Sequence, residues 1–159
     1  MDDPVYPLSE AARVTGWPVT TMRDYFARGI FEWQETDGVS AVAGLASRLT
    51  LRSILRLAVA REIWVAIQRP KEAFLAAVAF TDLGSGSKFQ VTRLPGQLFE
   101  APYRTIMAYR PGLPPEIMPI EYGVAVDLDD LTIAPFAQPG PVIVIDLGRV
   151  VSRVLKEFC

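Results

Sequence analysis

The sequence predicts an α+β protein, mostly helical in its N-terminal half and strand-bearing in its C-terminal half. Three observations lead there. Apolar residues recur at helical spacing from Leu8 to Phe80. Strand-like alternation or short apolar runs occupy 103–109, 120–127 and 141–146. Between them the texture changes at Gly84-Ser85-Gly86-Ser87, and prolines follow at 95, 102, 111, 114, 115 and 119. We divide the chain into residues 1–69, a helix and linker over 70–87, and a small α+β domain over 88–159.

A first helix is expected over Glu10–Val14 with Ser9 as its N-cap, burying Leu8, Ala11, Ala12 and Val14. Gly16 follows where a left-handed residue is wanted, and Pro18 suits the entry to a second helix. That helix runs over Val19–Arg28 with Val19, Met22 and Phe26 inward, leaving Thr20, Thr21, Arg23, Asp24 and Arg28 outside. Gly29 stops it, and Ile30–Trp33 reads as a short strand. Trp17 reads as a packing residue. A third helix is expected over Leu51–Ile67, capped by Thr50 and closed ahead of Pro70. A fourth, Lys71–Phe80, is so apolar that it must be buried.

In the second half, strands are expected at Lys88–Arg93, Tyr103–Tyr109, Ile120–Asp127 and Pro141–Asp146, the last as a central or doubly buried strand because its apolar run is nearly continuous. An amphipathic helix over Arg149–Phe158 then places Val150, Val151, Val154, Leu155 and Phe158 on one side.

Two short helices around a glycine turn, the second with an exposed polar face, make a helix-turn-helix. Thr21, Met22, Arg23, Tyr25, Arg28, Gly29 and Ile30, followed by the return Arg48-Leu49-Thr50 into Leu51-Arg52-Ser53-Ile54-Leu55, resemble the N-terminal winged helix-turn-helix of MerR-type transcription regulators over roughly residues 6–66. The resemblance implies contact with double-stranded DNA through Thr20, Thr21, Arg23, Tyr25, Arg28, Arg48 and Arg52. Asp24 stands where the family usually has an aromatic residue. The family's long dimerising coiled coil is not evident, so its metal- and drug-sensing chemistry is not carried over.

Charge distribution bears on the same question. The chain has 16 Lys+Arg against 18 Asp+Glu, a net charge of −2. Yet Arg48, Arg52, Arg56, Arg61, Arg69 and Lys71 face only Glu62 within 48–71. A local basic patch matters more to phosphate contact than the total.

Other chemistries find little support. Without histidine, and with Cys159 as the single cysteine, His- or Cys-based metal sites and histidine bases are excluded. Gly84–Lys88 lacks phosphate-loop spacing. Asp127, Asp129, Asp130 and Asp146 read as acidic turns rather than a cation site. No cofactor, metal or enzymatic activity is expected. A lone cysteine and no signal-like N-terminus fit a reducing cytoplasm, and no apolar stretch is long enough to span a membrane. The expectation is a sequence-specific DNA-binding regulator acting as a homodimer, with a C-terminal domain that dimerises, binds a protein partner or senses a ligand. Two alternatives stay open: a phage or mobile-element DNA-packaging or excision factor, and a protein-interaction module whose helix-turn-helix no longer binds DNA. Asp24 and the negative total charge favour the last.

Overall fold

The computed structural model describes residues 4–40, 46–85, 90–125 and 141–158. Its order is β1 (Val5–Pro7), α1 (Leu8–Thr15), α2 (Val19–Ala27), β2 (Arg48–Thr50), α3 (Leu51–Ile67), α4 (Pro70–Asp82), β3 (Tyr103–Tyr109), β4 (Glu116–Glu121), β5 (Ile143–Asp146) and α5 (Leu147–Leu155). Two small antiparallel sheets and these helices make an α+β fold with most of the helix N-terminal.

The helical half follows its sequence signals closely. Gly16 adopts φ +81° and donates to the Ala12 carbonyl, closing α1 as a left-handed C-terminal residue does. Met22 and Phe26 are buried, with Val19 packed beside them. Helix α3 spans the expected residues, and the Thr50 hydroxyl accepts from the Ser53 amide at its start. Pro70 occupies the first turn of α4, where its missing N–H costs nothing. Helices α3 and α4 pack as a hairpin whose buried faces include Ile54, Leu57, Ala58, Ala73, Ala77 and Phe80.

Two expectations here are corrected. Helix α1 begins at Leu8 after an extended Pro7, and the Ser9 hydroxyl makes no cap. Pro7 belongs to β1, so the strand runs straight into the helix. Ile30–Trp33 is not a strand: the Ile30 and Phe31 amides both turn back to the Tyr25 carbonyl, at 2.8 and 3.1 Å, and Phe31 enters the core. The partner of β2 is therefore β1, in the register Val5↔Thr50, Tyr6↔Leu49, Pro7↔Arg48. The wing closes through a further bridge between Gly38 and Arg48.

The second sheet has the order β4-β3-β5. Strand β3 is central, paired with β4 in the register Ile106↔Met118 and with β5 in the register Met107↔Ile145. The apolar run at 142–145 thus forms an edge strand, with Val144 42% exposed, and not the central one. Strand β4 occupies Glu116–Glu121 and gives way to a turn at Tyr122-Gly123, so only its end overlaps the expected 120–127. As an edge strand it tolerates Pro119, which cannot donate to the ladder. Of the expected strand 88–93, the described part shows only a bridge between Ser85 and Arg93. Gly86–Phe89, Val126, Asp127, Asp129, Asp130 and Cys159 lie outside the described residues.

A single apolar cluster runs from Ala11 and Met22 through α3 and α4 to Phe99, Met107, Tyr109, Ile117, Ile145, Val150 and Val154. It crosses from 1–69 into 88–159. Helix α5, started by the Asp146 carboxylate accepting from the Arg149 amide, closes it. Arg153 ties α5 to Glu62 at 2.8 Å, and Glu157, past the end of the helix, pairs with Arg13. Just beyond the helix, Phe158 lies 4.2 Å from the Tyr6 ring.

Candidate nucleic-acid interface

The helix-turn-helix stands on an aromatic floor. Trp17, 2% exposed, donates from its indole nitrogen to the Leu57 carbonyl at 2.9 Å, which fixes the turn between α1 and α2 onto α3. Phe31 meets Trp17, Tyr25, Phe26 and Phe74 at ring distances of 5.1–5.5 Å. Trp33 stacks on Phe26 at 3.9 Å and 20°. Offset and edge-to-face contacts of this kind give stiffness as well as burial, so the outer face of α2 is presented on a rigid base. Trp17 is a packing residue, as the sequence predicts.

On that outer face Thr20, Arg23, Asp24 and Arg28 are exposed, and Thr21 and Tyr25 are half-buried. Arg28 pairs with Asp24 one helical step back at 3.1 Å, both well exposed. Tyr25 rests its ring against Trp17 and Phe31. Arg23 and Arg48 differ from the other arginines here: neither side chain makes a hydrogen bond, ion pair or ring contact with another described residue. Arg23 lines a cleft of about 530 Å³ with Pro7, Leu8, Ser9, Phe26, Ala27, Trp33, Ala46 and Ser47. Arg48, the next residue after Ser47, is exposed on β2.

Arg52 and Arg56 share a face of α3, as their spacing predicts, but that face turns to the end of α4. Arg52 donates to the Thr81 carbonyl and reaches Asp82 at 3.3 Å. Arg56 is buried, donates to the Thr81 hydroxyl at 2.9 Å, pairs with Asp82 and lies over the Phe74 ring. Burial pushes the Arg56 guanidinium pKa down, and Asp82 opposes that shift. Arg61 stacks between Trp17 and Trp64, at 5.0 and 4.4 Å from their rings. Much of the basic run at 48–71 is therefore spent inside the fold.

Sequence reasoning passed over Asp37. Its buried carboxylate accepts from the Gln34 amide, the Thr50 amide, the Thr50 hydroxyl and the Ser53 hydroxyl. An acid beside a glycine in a polar loop reads as an ordinary turn, and nothing local marks it as buried. Arg93 was passed over too. Its guanidinium is buried on the Phe80 ring and donates to the carbonyls of Phe80, Leu83, Leu94 and Gln97, closing the end of α4.

Among the described residues, no group of three potential metal-ligating side chains comes together, and no helix is long and apolar enough to cross a membrane. Asp146 caps α5. Neither a family model nor a curated protein sequence matches the chain.

Proposed function

We propose that the protein binds double-stranded DNA through α2 and the wing, as a regulator of transcription acting as a dimer. One observation carries this reading: two exposed arginines whose side chains have no partner among the described residues, Arg23 and Arg48, stand on an aromatic-packed helix-turn-helix and its wing. Arginine suits phosphate and guanine because its planar fork donates in pairs. Thr20 and Thr21, at the start of α2, are where a reading helix meets base edges. Tyr25 supports the helix by packing, and Arg28 reaches DNA by exchanging Asp24 for phosphate. Arg52 acts mainly as the tie between α3 and α4. One short reading helix gives little affinity, so paired half-sites on a two-fold dimer are part of the reading.

Binding to a mixed duplex pool at two salt concentrations tests it. Affinity should fall steeply as salt rises, through counterion release. Arg23→Ala should cost about 1–3 kcal/mol, or shallow the salt dependence by about one charge if Arg23 meets phosphate alone. Unchanged binding by Arg23→Ala removes α2 from the interface. Light scattering checks the dimer, and a strict monomer counts against it. The Asp24–Arg28 pair favours a second reading, a protein-interaction module: it cancels charge on the very face that would meet phosphate. Salt-insensitive or undetectable duplex binding by the intact chain selects that reading.

A further inference from the structure

We propose that Asp37 is the positioning residue of the wing: its carboxylate clamps the Gly38–Arg48 bridge onto the first turn of α3 and so holds Arg48 in register on β2. The consequence for binding rests on the duplex-binding reading above; the clamp itself does not. Each carboxylate oxygen takes one backbone N–H and one hydroxyl. Oδ2 accepts from the Gln34 amide and the Ser53 hydroxyl, both at 2.8 Å. Oδ1 accepts from the Thr50 amide at 2.8 Å and the Thr50 hydroxyl at 3.2 Å. Thr50 is both the last residue of β2 and the N-cap of α3, so one side chain joins wing, strand and helix. The next residue, Gly38, exchanges both backbone hydrogen bonds with Arg48, at 3.0 and 2.9 Å. Without Asp37, the ties left to the wing among the described residues are that bridge, the Ser40 amide donating to the Ser47 hydroxyl at 3.3 Å, and the three-residue pairing of β1 with β2.

The chemistry explains why a carboxylate stands there. A hydroxyl can rotate and accept instead, but a backbone N–H cannot. Asparagine has nearly the same shape, yet whichever way its amide turns, its NH2 meets the Gln34 or the Thr50 amide. A carboxylate at the start of α3 also faces the positive end of the helix dipole.

Asp37→Asn is therefore the test, read in two arms. In amide hydrogen exchange, protection of Gly38 and Arg48 should fall ten-fold or more while Met107 in β3 is unchanged. In duplex binding, Arg48→Ala should lower affinity several-fold in the parent chain but little in the Asp37→Asn background. Arg23→Ala should cost the same in both. Unchanged protection at Gly38 and Arg48 overturns the clamp. Lost protection with an undiminished Arg48→Ala effect overturns the positioning role. Should the parent chain bind no duplex, the binding reading fails and the positioning role with it, while the exchange arm still decides the clamp. If Asp37→Asn does not fold, Ser53→Ala removes one donor alone, and the same two arms should move the same way by a smaller factor.

Discussion

The helix-turn-helix and the three-stranded sheet are both well buried, but they are held by different means. Around α2 the contacts are aromatic and close in sequence: Trp17, Tyr25, Phe26, Phe31 and Trp33 touch one another within a stretch of 17 residues. Polar ties at Asp37 and Trp17 then lock that unit to α3. The sheet is aliphatic and two-faced. Met107, Tyr109, Ile117 and Ile145 join the main cluster, while Ile106, Ala108 and Met118 form a second one with Ile120 and Val142. Its pairing joins residues as distant as Ile106 and Asp146. A surface that must hold two or three side chains in fixed relation needs short stiff contacts. A sheet that closes a core needs only matching apolar faces.

The sharpest way to break this contrast is to separate the two regions. A fragment of residues 1–69 lacks α4 and α5, which cover α3, and should lose cooperative thermal unfolding by circular dichroism altogether. A fragment that melts cooperatively would show the helix-turn-helix to be independent of the sheet. Next come single core truncations. Phe31→Ala should cost about 3–5 kcal/mol and Met107→Ala about 2–5 kcal/mol in urea unfolding, but only the former should also weaken duplex binding. Equal effects on binding would show that both regions support the proposed DNA-binding face alike. Arg56→Leu should cost about 2–3 kcal/mol, since it leaves Thr81 and Asp82 without their buried donor; urea midpoints check this.

The smallest effect concerns the seam between α4 and β3. The Tyr109 hydroxyl donates to Glu72 at 2.6 Å, and the Gly112 amide donates at 3.1 Å. Donation from Tyr109 is the main cause holding the Glu72 carboxyl below its ordinary range. Burial, with Glu72 adding to it, pushes the Tyr109 hydroxyl well above its usual value. For Glu72 the folded pKa is depressed, so its contribution is complete above the unfolded carboxyl's pKa and is lost as pH falls through the folded value. For Tyr109 the folded pKa is raised, so its contribution is complete below the unfolded phenol's pKa and lost at strongly alkaline pH. Tyr109→Phe should cost about 1–2 kcal/mol at neutral pH, and the two chains should converge in stability as pH drops through the carboxylate range. A constant difference across that range would remove Glu72 from the account.

How much was legible follows the same division. The ends of α3 were readable because Thr50 and Pro70 mark them locally, and Tyr103–Tyr109 was readable as a strand. Whether β3 or β5 is central was not, because an apolar run such as Val142–Ile145 reports burial without saying which neighbour supplies it. Arg52 and Arg56 were correctly placed on one face, but the object they face, Asp82, lies about thirty positions away. Ser9 read as a cap because a hydroxyl before an apolar run is a good local signal, yet the extended Pro7 set the helix start two residues earlier.

By itself the sequence determined the fold class, the turn at Gly16, the capped third helix and the inward stripe of the second, since each rests on the period or torsion of a few adjacent residues. Only the tertiary structure decided that β2 pairs with β1, that Asp37 is buried at the root of the wing, and that α5 closes the core. It also separated the arginines of the basic run, burying Arg56 and leaving Arg48 outside. The physical reason is that a charged side chain's role depends on where distant donors and acceptors come to rest, and no local pattern carries that information.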